Sequence, residues 1–174
     1  DVVRAPADWI RELCREAPSS FTQLARNPER SVIIGGQNQV FAPIYGAPFV
    51  RDLKKGRRYG DIASFQDLVR LTYMSPALHH GGFVTCEPCD VPVSKRHLDM
   101  LLAHMTLSDK PHLGAITEMS RAQDSVDMAE IIFGRESMDK NFVIMGNVNT
   151  NSPLLVDKVV TEAIRVYCGR GQGI

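Results

Sequence analysis

The chain has 174 residues, 44% of them hydrophobic and 23% charged, and its 20 basic and 20 acidic side chains cancel. This is enough for a domain with a real core, and a neutral balance gives no support to a nucleic-acid or anionic-membrane partner. No apolar run approaches the roughly 20 residues of a membrane span. The opening stretch, Asp1 to Trp9, lacks the basic and apolar regions of a secretory signal. The four scattered cysteines, Cys14, Cys86, Cys89 and Cys168, are therefore expected as reduced thiols in a cytoplasmic protein. The chain starts without Met and ends at Gly169-Arg-Gly-Gln-Gly-Ile174, where a further strand is expected, so it reads as a segment of a longer protein.

Residues 7–17 are predicted as a helix, with Trp9 or Ile10, Leu13, Cys14 and Ala17 on one face and Pro6 at the start. Residues 21–26 read as a further short helical turn. Val32-Ile33-Ile34 and the stretch Val40 to Tyr45 are β-like and separated by Gly35-Gly36-Gln37-Asn38, which gives a hairpin or the lead into a first strand. Pro43 and Pro48 make these edge or irregular strands. The basic run Arg51 to Gly60 reads as a solvated loop, with a phosphate or partner patch as the alternative.

From residue 64 onward, strands and helices alternate. Residues 64–75 are predicted helical, capped by Ser64. A short strand Phe83–Cys86 follows, then a helix from Ser94 carrying Leu98, Leu101, Leu102 and Met105. Next come a strand Leu113–Thr117, a helix Ala122–Phe133, and a loop Gly134–Lys140. Asn141 to Gly169 completes the series: an apolar run Phe142–Met145, a polar loop Asn147–Ser152 and a helix with Val156, Val159, Val160, Ala163, Ile164 and Tyr167 on one face. Residues 1–63 are accordingly read as amino-terminal helices and a β-hairpin, and 64–174 as β/α units. The alternation means α/β with a parallel sheet, open or closed. About three units are visible, whereas a closed eightfold barrel needs about 250 residues.

In such folds chemistry collects beyond the carboxyl ends of the strands. Those ends present Thr85, Cys86 and Glu87; Thr117 and Glu118; and Asn147 and Asn149. Each has a bland reading as a cap for the following helix. Cys86-Glu-Pro-Cys89 has the C-x-x-C spacing, but no second pair completes a zinc set and no thioredoxin-like context supports redox use. His79 and His80 read as packing or capping groups, and His97, His104 and His112 form no ligand pattern. Phosphate loops, dinucleotide fingerprints and a G-x-S-x-G elbow are absent. The residues alone give a rim of acids and amides but no reaction.

Several stretches in series resemble the trimethylamine methyltransferase family of corrinoid-dependent methyltransferases. They are Ala17-Pro-Ser-Ser-Phe21 with Ala25-Arg-Asn-Pro28, the run Phe41 to Val50, Pro88-Cys-Asp-Val-Pro92, Ser108-Asp-Lys-Pro111, and Gly146 to Leu154. The resemblance implies a TIM barrel, here its amino-terminal part. It also implies methyl transfer from trimethylamine, glycine betaine or a similar quaternary amine to the cobalt of a corrinoid (cobalamin) carried by a cognate partner protein, with no cofactor bound directly. Tyr45, Glu87, Glu118, Asn147 and Asn149 are the candidates to line the substrate site; no catalytic residue is carried over and no metal ligand is expected. A partial barrel would expose strand edges, so homo-oligomerisation is expected. Another barrel enzyme, a lyase or metal-dependent hydrolase, and a non-catalytic ligand- or corrinoid-protein-binding relative are the competing readings.

Overall fold

Apolar residues at helical spacing become helices throughout residues 4–149 and 156–174, the residues that the computed structural model describes. Helix α1 spans Ala7–Glu16, α2 Ile62–Met74, α3 Arg96–Leu107, α4 Met119–Phe133, α5 Arg135–Lys140 and α6 Lys158–Gly169. The cap of α2 is Asp61, whose Oδ1 accepts the Ser64 amide at 2.7 Å, rather than Ser64 itself. The stretch after Gly134, expected as a loop, is the short helix α5; Gly134 at φ +77° turns the chain between α4 and α5. Helix α1 buries no residue, and Trp9, Ile10 and Leu13 lie exposed along it.

The amino-terminal third differs most from expectation. Residues 20–23 form a strand, β1 (Ser20–Gln23), where a helical turn was predicted. It pairs antiparallel with β2 (Val32–Gly35), Ser20 opposite Gly35. The predicted pairing of Val32–Ile34 with Val40–Tyr45 is therefore absent. A second hairpin joins β3 (Phe49–Asp52) to β4 (Gly56–Tyr59) within the basic run expected as a loop. Its turn is fixed by Asp52, whose Oδ1 accepts the amides of Lys54 and Lys55 at 2.8 and 2.6 Å, and whose Oδ2 meets Arg58 Nη1.

Between these pieces lies a row of extended segments. The chain from Phe41 runs in the same direction as residues 79–87: Phe41 O accepts from His79 and His80, Val84 O from Gly46, and Ala47 O from Glu87, at 2.7–3.1 Å. Gly81 donates to Pro111 O and Leu113 to Gly82 O. Leu113 bridges Met145, and Met145 bridges Gly173, both parallel. Each segment thus meets the next in chain order, with helices between them in the sequence. The expected strands Phe83–Cys86, Leu113–Thr117 and Phe142–Met145 are extended here, but too few hydrogen bonds link them to make regular strands. Among the described residues the fold is mixed α/β with small two-stranded sheets and no closed barrel. The core joins Phe65 and Val69 of α2, Leu101 of α3, Ala122 and Val126 of α4, Ile144, and Ala163 and Tyr167 of α6.

The amino ends of the segments are closed by buried polar groups. Gly82 N donates to His80 Nδ1 at 2.9 Å, so the His80 Nε2–H donates to Gln23 Oε1 at 3.1 Å, and Gln23 Nε2 donates to His112 O at 2.9 Å. His104 donates through Nε2 to Phe83 O at 2.7 Å and stacks on His112, ring centres 5.2 Å apart. This bonding requires His80 neutral, and burial pushes the pKa values of His80 and His104 down to about 3. Gln23 thereby ties the β1–β2 hairpin to the row, where it also bridges Phe142 in parallel.

Candidate functional site

At the carboxyl ends of the segments lies a cavity of about 260 Å³. Its apolar lining includes Phe83, Val84, Met100, Ala115 and Ile116, and its polar groups are Tyr45, Glu87, Arg96, His97, Thr117 and Arg121. Position in the chain explains each. Tyr45 precedes the Gly46 amide that docks on Val84 O, and Glu87 follows the segment 83–86. Arg96 is the first residue of α3 and Arg121 lies in the first turn of α4, so both guanidiniums project back over the ends of the segments.

Hydrogen bonds hold these groups in place. Arg96 Nη1 donates to Glu87 Oε2 at 3.3 Å, while Nε and Nη2 donate to Val91 O at 3.2 and 3.0 Å. This side chain ties Glu87 to Val91, and the loop before α3 is held further by Cys89 N donating to Gly60 O and by Asp90 Oδ1 accepting from Ile62 N. Arg121 donates through Nε to Glu118 Oε2 at 3.1 Å and through Nη1 to Thr117 Oγ1 at 3.3 Å. His97 is buried and donates through Nε2 to Asp124 Oδ2 at 2.7 Å; its Nδ1 is buried without a partner among the described residues. Burial, and then the negative charge of Glu87, push the Tyr45 hydroxyl above the usual tyrosine pKa.

Of the residues proposed from the sequence, the cavity brings together Tyr45 and Glu87. Glu118 is exposed at the start of α4 and reaches the cavity only through Arg121. Asn147 and Asn149 are exposed and lie outside the lining. Thr150, Asn151 and Ser152, the rest of that polar loop, lie outside the described residues. Arg96 and Arg121 went unread, although the Glu118–Arg121 spacing of three on a helix start is a legible ion-pair signal; His97 was read only as part of no ligand pattern.

The two C-x-x-C thiols are free, one buried and one exposed. Cys86 is buried and its thiol is pushed up to about 11, chiefly by burial, so it stays protonated. Cys89 is a free thiol donating to Glu87 O. Among the described residues no group of three or more His, Cys, Asp or Glu side chains is placed to hold a metal ion. A larger hollow, about 450 Å³, lies beside β2 and the end of α2. Its lysine, Lys110, is committed to the fold: Nζ donates to the carbonyls of Thr72, Ser75 and Leu78 at 2.8, 2.9 and 2.6 Å. No helix among the described residues is long and apolar enough to cross a membrane.

Comparison with known proteins gives a consistent answer. The family described as Trimethylamine methyltransferase (MTTB) matches residues 1–174. The chain is 36% identical over 168 residues to the glycine betaine methyltransferase of Desulfitobacterium hafniense (strain Y51), an alignment that covers 96% of this chain and 35% of that relative. The chain thus spans about a third of the length of the curated relative it matches. With that identity and a family match over its whole length, the chain belongs to the trimethylamine methyltransferase family.

Proposed function

We propose that this protein moves a methyl group from a methylated amine, such as trimethylamine, glycine betaine or a similar quaternary amine, to the cobalt of a corrinoid carried by a partner protein. The observation that carries the reading, beyond family membership, is the cavity: about 260 Å³, with apolar walls from Phe83, Val84, Met100 and Ile116 and with Tyr45 and Glu87 in its lining. That volume suits a small amine and is far too small for a corrinoid ring, which fits a methyl acceptor that stays on a separate protein. The row of parallel segments, each paired with the next, supports a (β/α) barrel of which this chain supplies the opening part.

A quaternary ammonium has a fixed charge and no N–H donor. An aromatic face suits it, contributing about 0.5–2 kcal/mol, and half-exposed Tyr45 offers one. The corrinoid, when its carrier docks, supplies the nucleophilic metal; this chain's residues bind and orient the amine. Charge on nitrogen falls as the methyl group leaves, so a tight grip on the cation would favour substrate over transition state. Glu87 is already paired with Arg96, which leaves the cation a weak electrostatic hold and lets the apolar walls position the methyl group.

The test uses the protein at its full natural length, mixed with a reduced corrinoid protein and a panel of methylated amines. A change in cobalt absorption with one or more of them is the expected result. No change with any amine, given a carrier that accepts methyl groups from its own donor enzyme, would overturn the reading.

A further inference from the structure

The connection from the first segment of the row to α2 concentrates charge. Phe41 to Ala47 runs toward the same end as residues 79–87, so the chain arrives at Pro48 on the rim where the cavity opens. It starts α2 at Ile62 from that same rim, and the β3–β4 hairpin lies between. Gly60 N donates to Pro48 O at 3.0 Å and clips the two feet of the hairpin together. Glu87 N donating to Ala47 O, and Cys89 N to Gly60 O, tie those feet to the edge of the cavity. Val50 packs against the core and Arg58 Nη2 donates to Ser64 Oγ at 2.9 Å, so the base is fixed. Strands of four residues carry the turn about 13 Å from its feet. In a chain whose charges cancel, residues 49–59 hold the cations Arg51, Lys54, Lys55, Arg57 and Arg58 against one acid, Asp52. Asp52 pairs with Arg58. The other four are exposed, and among the described residues none of them has an ion-pair partner. Arg57 is held over the Phe49 ring at 3.8 Å, and Leu53 at the turn is fully exposed. The turn uses only the backbone amides of Lys54 and Lys55, so the fold gives their side chains no task.

We infer that the β3–β4 hairpin is the arm on which the methyl-accepting carrier protein docks, with Arg51, Lys54, Lys55 and Arg57 set against an acidic patch beside the carrier's corrinoid. An acceptor too large for the cavity must be presented at the rim, and the hairpin stands there next to Tyr45 and Glu87. Four unmatched cations on one small hairpin repel one another, and a partner's carboxylates offset that repulsion. Opposite charges also steer the encounter and speed association without a large buried interface. Such docking is rapid and reversible, as a carrier that must leave with its methyl group requires. The inference rests on the proposed function for the identity of the partner.

Lys54→Glu and Lys55→Glu together reverse the charge of exposed side chains and leave the turn and the cavity untouched. The readout is binding of the full-length protein to the corrinoid protein of the transfer assay, by biolayer interferometry at low and high salt. The Kd of the parent should rise with salt. The double reversal should raise Kd at low salt about tenfold or more, mainly through slower association. Lys55→Glu alone should raise it about threefold, and Lys55→Arg should leave it unchanged. Lys140→Glu, on α5 at the opposite end of the segments, changes net charge as much as Lys55→Glu and should leave Kd within about twofold. Calorimetric titration with the methylated amine should give the same affinity in every variant. Carrier binding that is absent in the parent, insensitive to salt, unchanged by the double reversal, or weakened as much by Lys140→Glu would overturn the inference. Hairpin-dependent binding of the carrier without methyl transfer would instead overturn the transfer reading alone.

Discussion

Glu87 and Arg96 meet at the cavity edge, Oε2 to Nη1 at 3.3 Å, with each side chain partly shielded from solvent. Under the proposed function, a methylated ammonium entering the cavity meets Glu87 already paired with Arg96. Removing the guanidinium by Arg96→Gln frees Glu87 to hold the ammonium directly. The expected result is tighter substrate binding with slower turnover, kcat falling up to about tenfold while KM falls or holds. Steady-state kinetics with a saturating methyl acceptor decide it; a fall in kcat/KM produced by a raised KM alone would show that Arg96 acts by binding instead.

The buried histidines predict acid lability. The pKa values of His80 and His104 lie near 3 in the folded chain, against an ordinary value of 6.5. The unfolded chain therefore binds protons more readily below that value. Stability from these rings is fully present above about pH 6.5 and is lost as pH falls toward about 3, by up to about 1.4 kcal/mol per pH unit for each. Denaturant midpoints measured from pH 8 to pH 4.5 should be flat at first and then fall. A midpoint that rises with acidification would contradict the neutral-ring arrangement.

Gly114 marks a close approach of the row to the helices. A methyl group there would run into the Tyr167 hydroxyl and lie 2.9 Å from Ser125 Cβ and 3.1 Å from Ile144 Cδ1. Gly114→Ala should destabilise by about 1–3 kcal/mol. It should also break the Tyr167 O–H to Ala115 O bond, 3.0 Å in the native fold. Tyr167→Phe, which removes that bond without a clash, should cost about 1 kcal/mol. Comparing urea midpoints of the two variants separates crowding from the lost hydrogen bond.

Lys110 supplies the missing partners at the end of α2, where carbonyls lack helical donors. Lys110→Met keeps the apolar stem and strands the carbonyls of Thr72, Ser75 and Leu78. The expected loss is on the order of 3 kcal/mol, read from chemical denaturation. A loss below about 0.5 kcal/mol, within the range of ordinary surface substitutions, would show that water replaces the ammonium at little cost.

Helices α2, α3, α4 and α6 were legible because their signals are local: apolar spacing and, for α2, a proline after Met74; the cap of α2 was read as Ser64 instead of Asp61, and α5 was read as a loop. Two of the residues lining the cavity, Tyr45 and Glu87, were legible for the same reason, as polar groups next to apolar runs. The hairpins were not. Ser20–Gln23 becomes a strand because Val32–Gly35 is its partner, and nothing within four residues announces that pairing. The basic run became a hairpin through Asp52, a turn former hidden among cations. Arg96 and Arg121 escaped notice because a helix start reads as solvated surface until the preceding segment places it over a hollow.

The neighbour-by-neighbour order of the extended segments has a consequence in time. Leu113 finds Met145 across α4 and α5, and Met145 finds Gly173 across α6. Closing such short loops is entropically cheap. A chain emerging from the ribosome can therefore lay each segment against the one made just before it. Gln23 is the exception: its contacts with His112 O and Val143 O span most of the chain. The amino-terminal hairpin can begin to dock once His80 meets Gln23, and its latch is complete only when His112 and then Val143 have been synthesised.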